Sequence, residues 1–158
     1  MNVIIFIIAF ISTAHSENLK DLHKETWHRH VPQVVICNDS KLDITIVQKA
    51  MDLWKQRGHK FSGLIKRDCD TRPNRGEIAL YPAKSGDLRD GAAAEAMTTV
   101  YTREKLNGKE EIAYARIWVH PSHTKSVLLL EHELGHALGY SDVFHHNNSV
   151  MSTYRPIY

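Results

Sequence analysis

A single α+β domain is what the sequence predicts, with a mixed, twisted sheet of about five strands and two main helices. Three observations point there. The chain has 158 residues, 42% of them hydrophobic, which suits one compact unit with a real core. Its apolar patterning runs in the order strand, helix, three or four strands, helix, irregular tail. No internal repeat or linker-like stretch divides it, and the strand-helix-strand start implies a parallel pair joined by a right-handed crossover.

The elements follow in chain order. Asn2 to Ile11 form an apolar block too short to span a bilayer, and small residues at Ala14 and Ser16 suit a cut after Ser16. Residues 1–16 therefore have the layout of a secretory signal peptide. No Lys or Arg precedes the apolar block, so the alternative is an N-terminal buried strand or an uncleaved anchor. Residues 17–30 are polar, lack an apolar period, and are expected to be a flexible arm. Val31 to Cys37 is strand-like and ends in the turn cluster Asn38-Asp39-Ser40. Ile46, Val47, Ala50, Met51 and Trp54 fall at helical spacing, and Gly58 closes that helix. Phe61 to Lys66 is a second strand, and Gly76 to Pro82 a third, stopped by its proline. Residues 83–94, with Gly86, Gly91 and three consecutive alanines, are expected to form a surface loop. Ala96 to Thr102 is a fourth strand, Asn107-Gly108 marks a turn, and Ile112 to His120 is a fifth strand. Pro121-Ser122 then opens a helix from about Thr124 to Leu138, whose run Val127 to Leu130 suggests burial on most sides.

Composition removes several functional classes. Twenty basic against 18 acidic side chains leave a formal charge of +2, so nucleic acid is not an expected partner. With 8 Gly and 5 Pro, collagen-like and disordered classes are excluded. Two cysteines cannot build a disulfide-rich miniprotein or a four-thiolate zinc site. In an oxidising compartment Cys37 and Cys69, each near the end of a predicted strand, can meet if those strands are parallel neighbours. Closure would stabilise the fold by roughly 3–4 kcal/mol in the chain-entropy model. The alternative is two separate buried thiols. No second apolar stretch approaches membrane length, so the processed chain is expected to be secreted, without stable membrane association.

Eleven histidines are unusual, and their longest run is His145-His146, so a metal site rather than a tag is the thing to seek. Inside the last helix stands His132-Glu133-Leu134-Gly135-His136. Residues four apart share one helical face, so two imidazoles can grip one cation while Glu133 reaches a water on it. Two nitrogen ligands, an open position and a carboxylate base are the parts of metal-assisted hydrolysis. His-Glu-x-x-His alone would arise by accident in this chain with a chance of roughly 0.04. Requiring Gly139 and then His or Asp at position 142 lowers that to roughly 3 in 10,000. Gly139 can end the helix in a left-handed conformation and turn the chain, so that Asp142 arrives as a third ligand through oxygen. His145 or His146 is the alternative third ligand. His120 and His123 are read as solvated loop residues, with a second structural metal as the alternative.

These residues, followed by Ser149-Val150-Met151-Ser152, resemble the metzincin clan of zinc metallopeptidases, closest in style to matrixin-like and snapalysin-like members. The resemblance covers roughly residues 31–154 and makes residues 31–158 a zincin-like catalytic domain, the active-site helix being followed by a methionine turn. It implies a Zn2+ ion on His132, His136 and Asp142, with Glu133 as the general base and Met151 packed beneath the metal. It also implies that the fourth strand borders the cleft, where an extended peptide could pair with its backbone. Tyr154 would support the oxyanion, a role that in some members falls to a tyrosine two rather than three residues after the methionine; the alternative is a surface or tail-packing tyrosine. Most members carry His where this chain has Asp142; against the family pattern, the C-terminal helix is expected to be missing and latency through a cysteine switch is not expected. Trp118 and the Leu128–Leu130 run are read as core rather than substrate pocket. The function expected is a secreted, monomeric zinc endopeptidase acting on protein or peptide substrates. The alternatives are a zinc-stabilised binding module without turnover and a zinc hydrolase acting on other amides or esters.

Overall fold

Five long strands and two helices carry the fold in a computed structural model that describes residues 25–27, 29–84, 96–106, 109–143 and 149–152. Strand β1 (Glu25–Thr26) is followed by β2 (Gln33–Cys37), where Val34 to Cys37 are all buried because neighbours cover both edges and both faces. Helix α1 (Ile44–Gln56) starts at Asp43, whose carboxylate accepts the Thr45 backbone N–H at 2.8 Å. Its buried stripe is Val47, Ala50, Met51 and Trp54. Strands β3 (Gly63–Arg67) and β4 (Glu77–Pro82) both run parallel to β2, one on each side. Strand β6 (Lys109–Val119) lies parallel to β4, and β5 (Ala96–Leu106) pairs antiparallel with β6 as an edge strand. The spatial order is β3-β2-β4-β6-β5, with β1 added beside β6 at Glu110 and Glu111.

The predicted α+β class therefore holds, including the parallel β2-α1-β3 start. Alternation sends Ile78, Leu80, Ile117 and Val119 to the helix side, where they meet Trp54, Leu130 and Leu134. On the opposite face Val35, Cys37 and Ala79 pack with Ile65, Cys69 and Tyr81. There the Cys37–Cys69 disulfide forms, with Cα atoms 5.3 Å apart, at the sheet end that two parallel strands share. Among the described residues, no helix is long and apolar enough to cross a membrane.

Five expectations need correction. Residues 25–27 of the expected flexible arm are tied down: Thr26 is buried, and the Trp27 indole donates to the Ala137 carbonyl at 2.9 Å. A two-residue strand is too short to show a period, and only the partner β6 reveals it. The last helix begins later than Thr124. Pro121–His123 form a separate 3-10 turn, and α2 spans Val127–Ala137 because the Ser126 hydroxyl caps it by accepting from Leu129 N–H at 3.2 Å. That helix is not buried on most sides, since Leu128 is 59% exposed while Leu130 is fully buried. Trp118 lies outside the helix-side core: between Ile117 and Val119 it must face the other way, and it stacks there on Tyr81 at 5.9 Å. Strand β5 also runs past Thr102 to Leu106, with register shifts after Tyr101 and Thr102. The signal segment 1–16, residues 17–24 and 28, most of the 83–94 loop and Asn107-Gly108 lie outside the described residues.

Candidate metal centre

Helix α2 places His132 and His136 one turn apart on one face, with ring centroids 4.6 Å apart and planes nearly perpendicular. Each Nδ1 meets a backbone carbonyl, Val150 O at 3.0 Å for His132 and Tyr140 O at 2.9 Å for His136. A carbonyl only accepts, so both rings carry their proton on Nδ1 and turn an Nε2 lone pair toward the other. Those Nε2 atoms are 3.1 Å apart. Asp142 Oδ1 lies 3.3 Å from each of them.

With neutral rings the cluster presents three acceptors at close range, an arrangement that a shared cation would hold together. The spacing tests the fit. Nitrogen and oxygen ligands at about 2.0–2.1 Å on a tetrahedral zinc ion stand about 3.3 Å from each other. The observed separations match that edge, so the residues fit the ion. His132, His136 and Asp142 are the one such group among the described residues. Among the described residues His120 and His123 form no comparable group: His120 is exposed and pairs with the Ser122 hydroxyl at 2.6 Å. His145, His146 and Tyr154 lie outside the described residues.

The chain after α2 folds locally to deliver these partners. Gly139 adopts φ +98°, and Tyr140 N–H returns to Gly135 O at 3.0 Å. That turn swings the Tyr140 carbonyl onto His136 and points the chain back toward Asp142. Val143 then pairs with Ser152, and its N–H donates to Met151 O at 2.9 Å. The turn Ser149–Ser152 closes through Ser152 N–H to Ser149 O at 3.1 Å, with the Ser149 hydroxyl accepting from Met151 N–H at 3.0 Å. Met151 is fully buried against Gly135, in the space a Cβ there would need.

Two further groups serve the site and have no counterpart in the sequence reading. Tyr140 stacks on Trp54 at 5.1 Å and its hydroxyl pairs with His59 Nε2 at 2.7 Å, while the Trp54 indole donates to Glu131 O at 2.7 Å. Together they hold the carbonyl that orients His136. Tyr140 directly follows Gly139, so its place beside the motif was the available signal. The second is Thr98 on β5, whose hydroxyl lies 2.5 Å from Glu133 Oε2 and 3.2 Å from Glu133 O. No sequence signal identifies it.

Glu133 is 6% exposed and stands outside the ligand trio. Burial pushes its carboxyl above the ordinary value; the Thr98 hydrogen bond and the attraction of His136 oppose this, and Asp142 adds to it. The arrangement can hold a divalent ion through two nitrogens and one oxygen, next to a carboxylate with raised basicity. No model of a known protein family matches the chain, and no curated protein is significantly similar to it.

Proposed function

We propose that this chain is a secreted zinc-dependent endopeptidase of the metzincin type. One observation carries the reading: three metal-competent donors converge at tetrahedral spacing beside a buried carboxylate that is not one of them. A structural zinc site has no use for that fourth group, whereas hydrolysis needs a base. His132 and His136 are the nitrogen donors, kept in one tautomer by the Val150 and Tyr140 carbonyls. Asp142 is the oxygen donor, and Met151 shapes the floor by packing rather than by ligation.

When bound, zinc supplies Lewis-acid polarisation of a carbonyl and a more acidic water. Glu133 takes a proton from the attacking water and returns it to the leaving amine nitrogen. Its burial keeps bulk water from competing for that proton. Strand β5 carries Thr98 against Glu133 and pairs with β6 alone among the described residues, so its outer edge runs beside the base, where an extended peptide can pair by backbone hydrogen bonds. Pairing of that kind places little demand on substrate side chains. The disulfide supports an oxidising destination.

The test is cleavage of casein by purified protein with and without a chelator, together with Glu133→Ala. Turnover is expected to need zinc, and Glu133→Ala to keep stoichiometric zinc while losing about 100- to 10,000-fold in kcat. Chelator-insensitive turnover, or full activity in the variant, would refute the assignment.

A further inference from the structure

We propose that Thr98 is a positioning residue that holds the Glu133 carboxylate in place for proton transfer, an inference that rests on the hydrolase reading above. Glu133 sits on α2 and Thr98 on β5, 35 residues away in sequence. Thr98 shares the helix-facing side of β5 with Ala96 and Val100, both of which pack on the core. Its hydroxyl is thereby fixed by the sheet rather than by the helix that carries the base.

The need for such a partner follows from burial. A carboxylate removed from water requires a donor, and an unsatisfied one is costly. Among the described residues, the one hydrogen bond to the Glu133 carboxylate comes from Thr98. An arginine or lysine there would meet that need by neutralising the charge, and the group would then be a poor proton acceptor. A neutral hydroxyl sets direction and leaves the charge in place. It occupies Oε2, leaving Oε1 to receive the proton. The same hydroxyl lies 3.2 Å from the Glu133 backbone carbonyl, so both acceptors within its reach belong to the residue that carries the base. The edge strand offered to a peptide and the base that acts on it are therefore registered by one side chain.

Thr98→Val keeps the shape and removes the hydroxyl; Thr98→Ser keeps the hydroxyl. With zinc-loaded protein and a peptide substrate, Thr98→Val is expected to lower kcat about 10- to 100-fold with KM and zinc stoichiometry unchanged. Thr98→Ser is expected to restore most of that loss. Crystal structures of the variants give a readout that needs no turnover: in Thr98→Val the Glu133 carboxylate leaves its position while the two histidine Nε2 atoms keep theirs. Thr98→Ala carries the same expectation should the valine protein fail to fold. Unchanged kcat, an unmoved carboxylate in the hydroxyl-free variants, or equal losses in the serine and valine proteins would overturn the proposal. Absence of chelator-sensitive turnover in the wild type would instead overturn the peptidase reading, with the carboxylate position still deciding the role of Thr98.

Discussion

Gly135 lies inside the last turn of α2, and within a helix glycine costs about 0.5–1 kcal/mol relative to alanine. Its neighbours explain it. A Cβ at this position would overlap the Met151 sulfur and come within 2.6 Å of the Trp54 ring, and Trp54 is pinned by its bond to Glu131 O. Met151 and Trp54 can press against the helix between the two histidines only because nothing projects there. Gly135→Ala should gain helix propensity yet lose more through overpacking, for a net destabilisation of about 1–2 kcal/mol. A urea midpoint equal to or above that of the wild type would contradict this account. The same variant should displace Met151 and loosen the Val150 carbonyl that orients His132.

Between elements, the clearest polar tie joins β3 to the start of β4. Arg67 donates to both oxygens of Glu77, at 2.8 and 3.0 Å, and Asn74 adds its backbone N–H at 2.9 Å and its side-chain amide at 3.1 Å. Burial alone would raise the Glu77 carboxyl, but the Asn74 and Arg67 hydrogen bonds and the Arg67 charge outweigh it and hold the group below its usual range. A value depressed on folding contributes stability above the unfolded value of about 4.3, and that contribution is lost as pH falls through the folded value. Glu77→Gln should therefore be less stable than the wild type at neutral pH, with the gap narrowing below about pH 4.3. Urea titrations across that range would show it, and a gap independent of pH would exclude the linkage. The element scale is also where the sequence reading slipped. The helix is expected from about Thr124, but the Ser126 cap and the Pro121 turn decide where α2 begins.

For the molecule as a whole, the disulfide closes a loop that contains α1 and all of β3. Cys37→Ser with Cys69→Ser should cost about 3–4 kcal/mol by releasing that loop in the unfolded chain. A denaturant midpoint unchanged by the double substitution would count against it. The sheet order, two helices on one face and the disulfide-bearing face opposite together set up the site at the end of α2. Much of this was legible in the residues themselves. Val34 to Cys37, the Val47-to-Trp54 stripe and the His132-to-Asp142 spacing are local patterns, governed by strand and helix periods and by the freedom of Gly139 to reach φ +98°. Local geometry propagates along the chain, so a sequence carries it in full. Other features depend on which strands become neighbours: Glu25 and Thr26 pair with β6, Trp54 reaches Glu131 across 77 residues, and Thr98 meets Glu133 across 35. No spacing rule encodes those meetings, because burial of apolar faces against one another selects them, and only the assembled sheet brings the groups within hydrogen-bond range. Residue spacing is enough to name His132, His136 and Asp142 as candidate donors and Glu133 as a candidate base, whereas packing across the sheet supplies the groups that hold them in place.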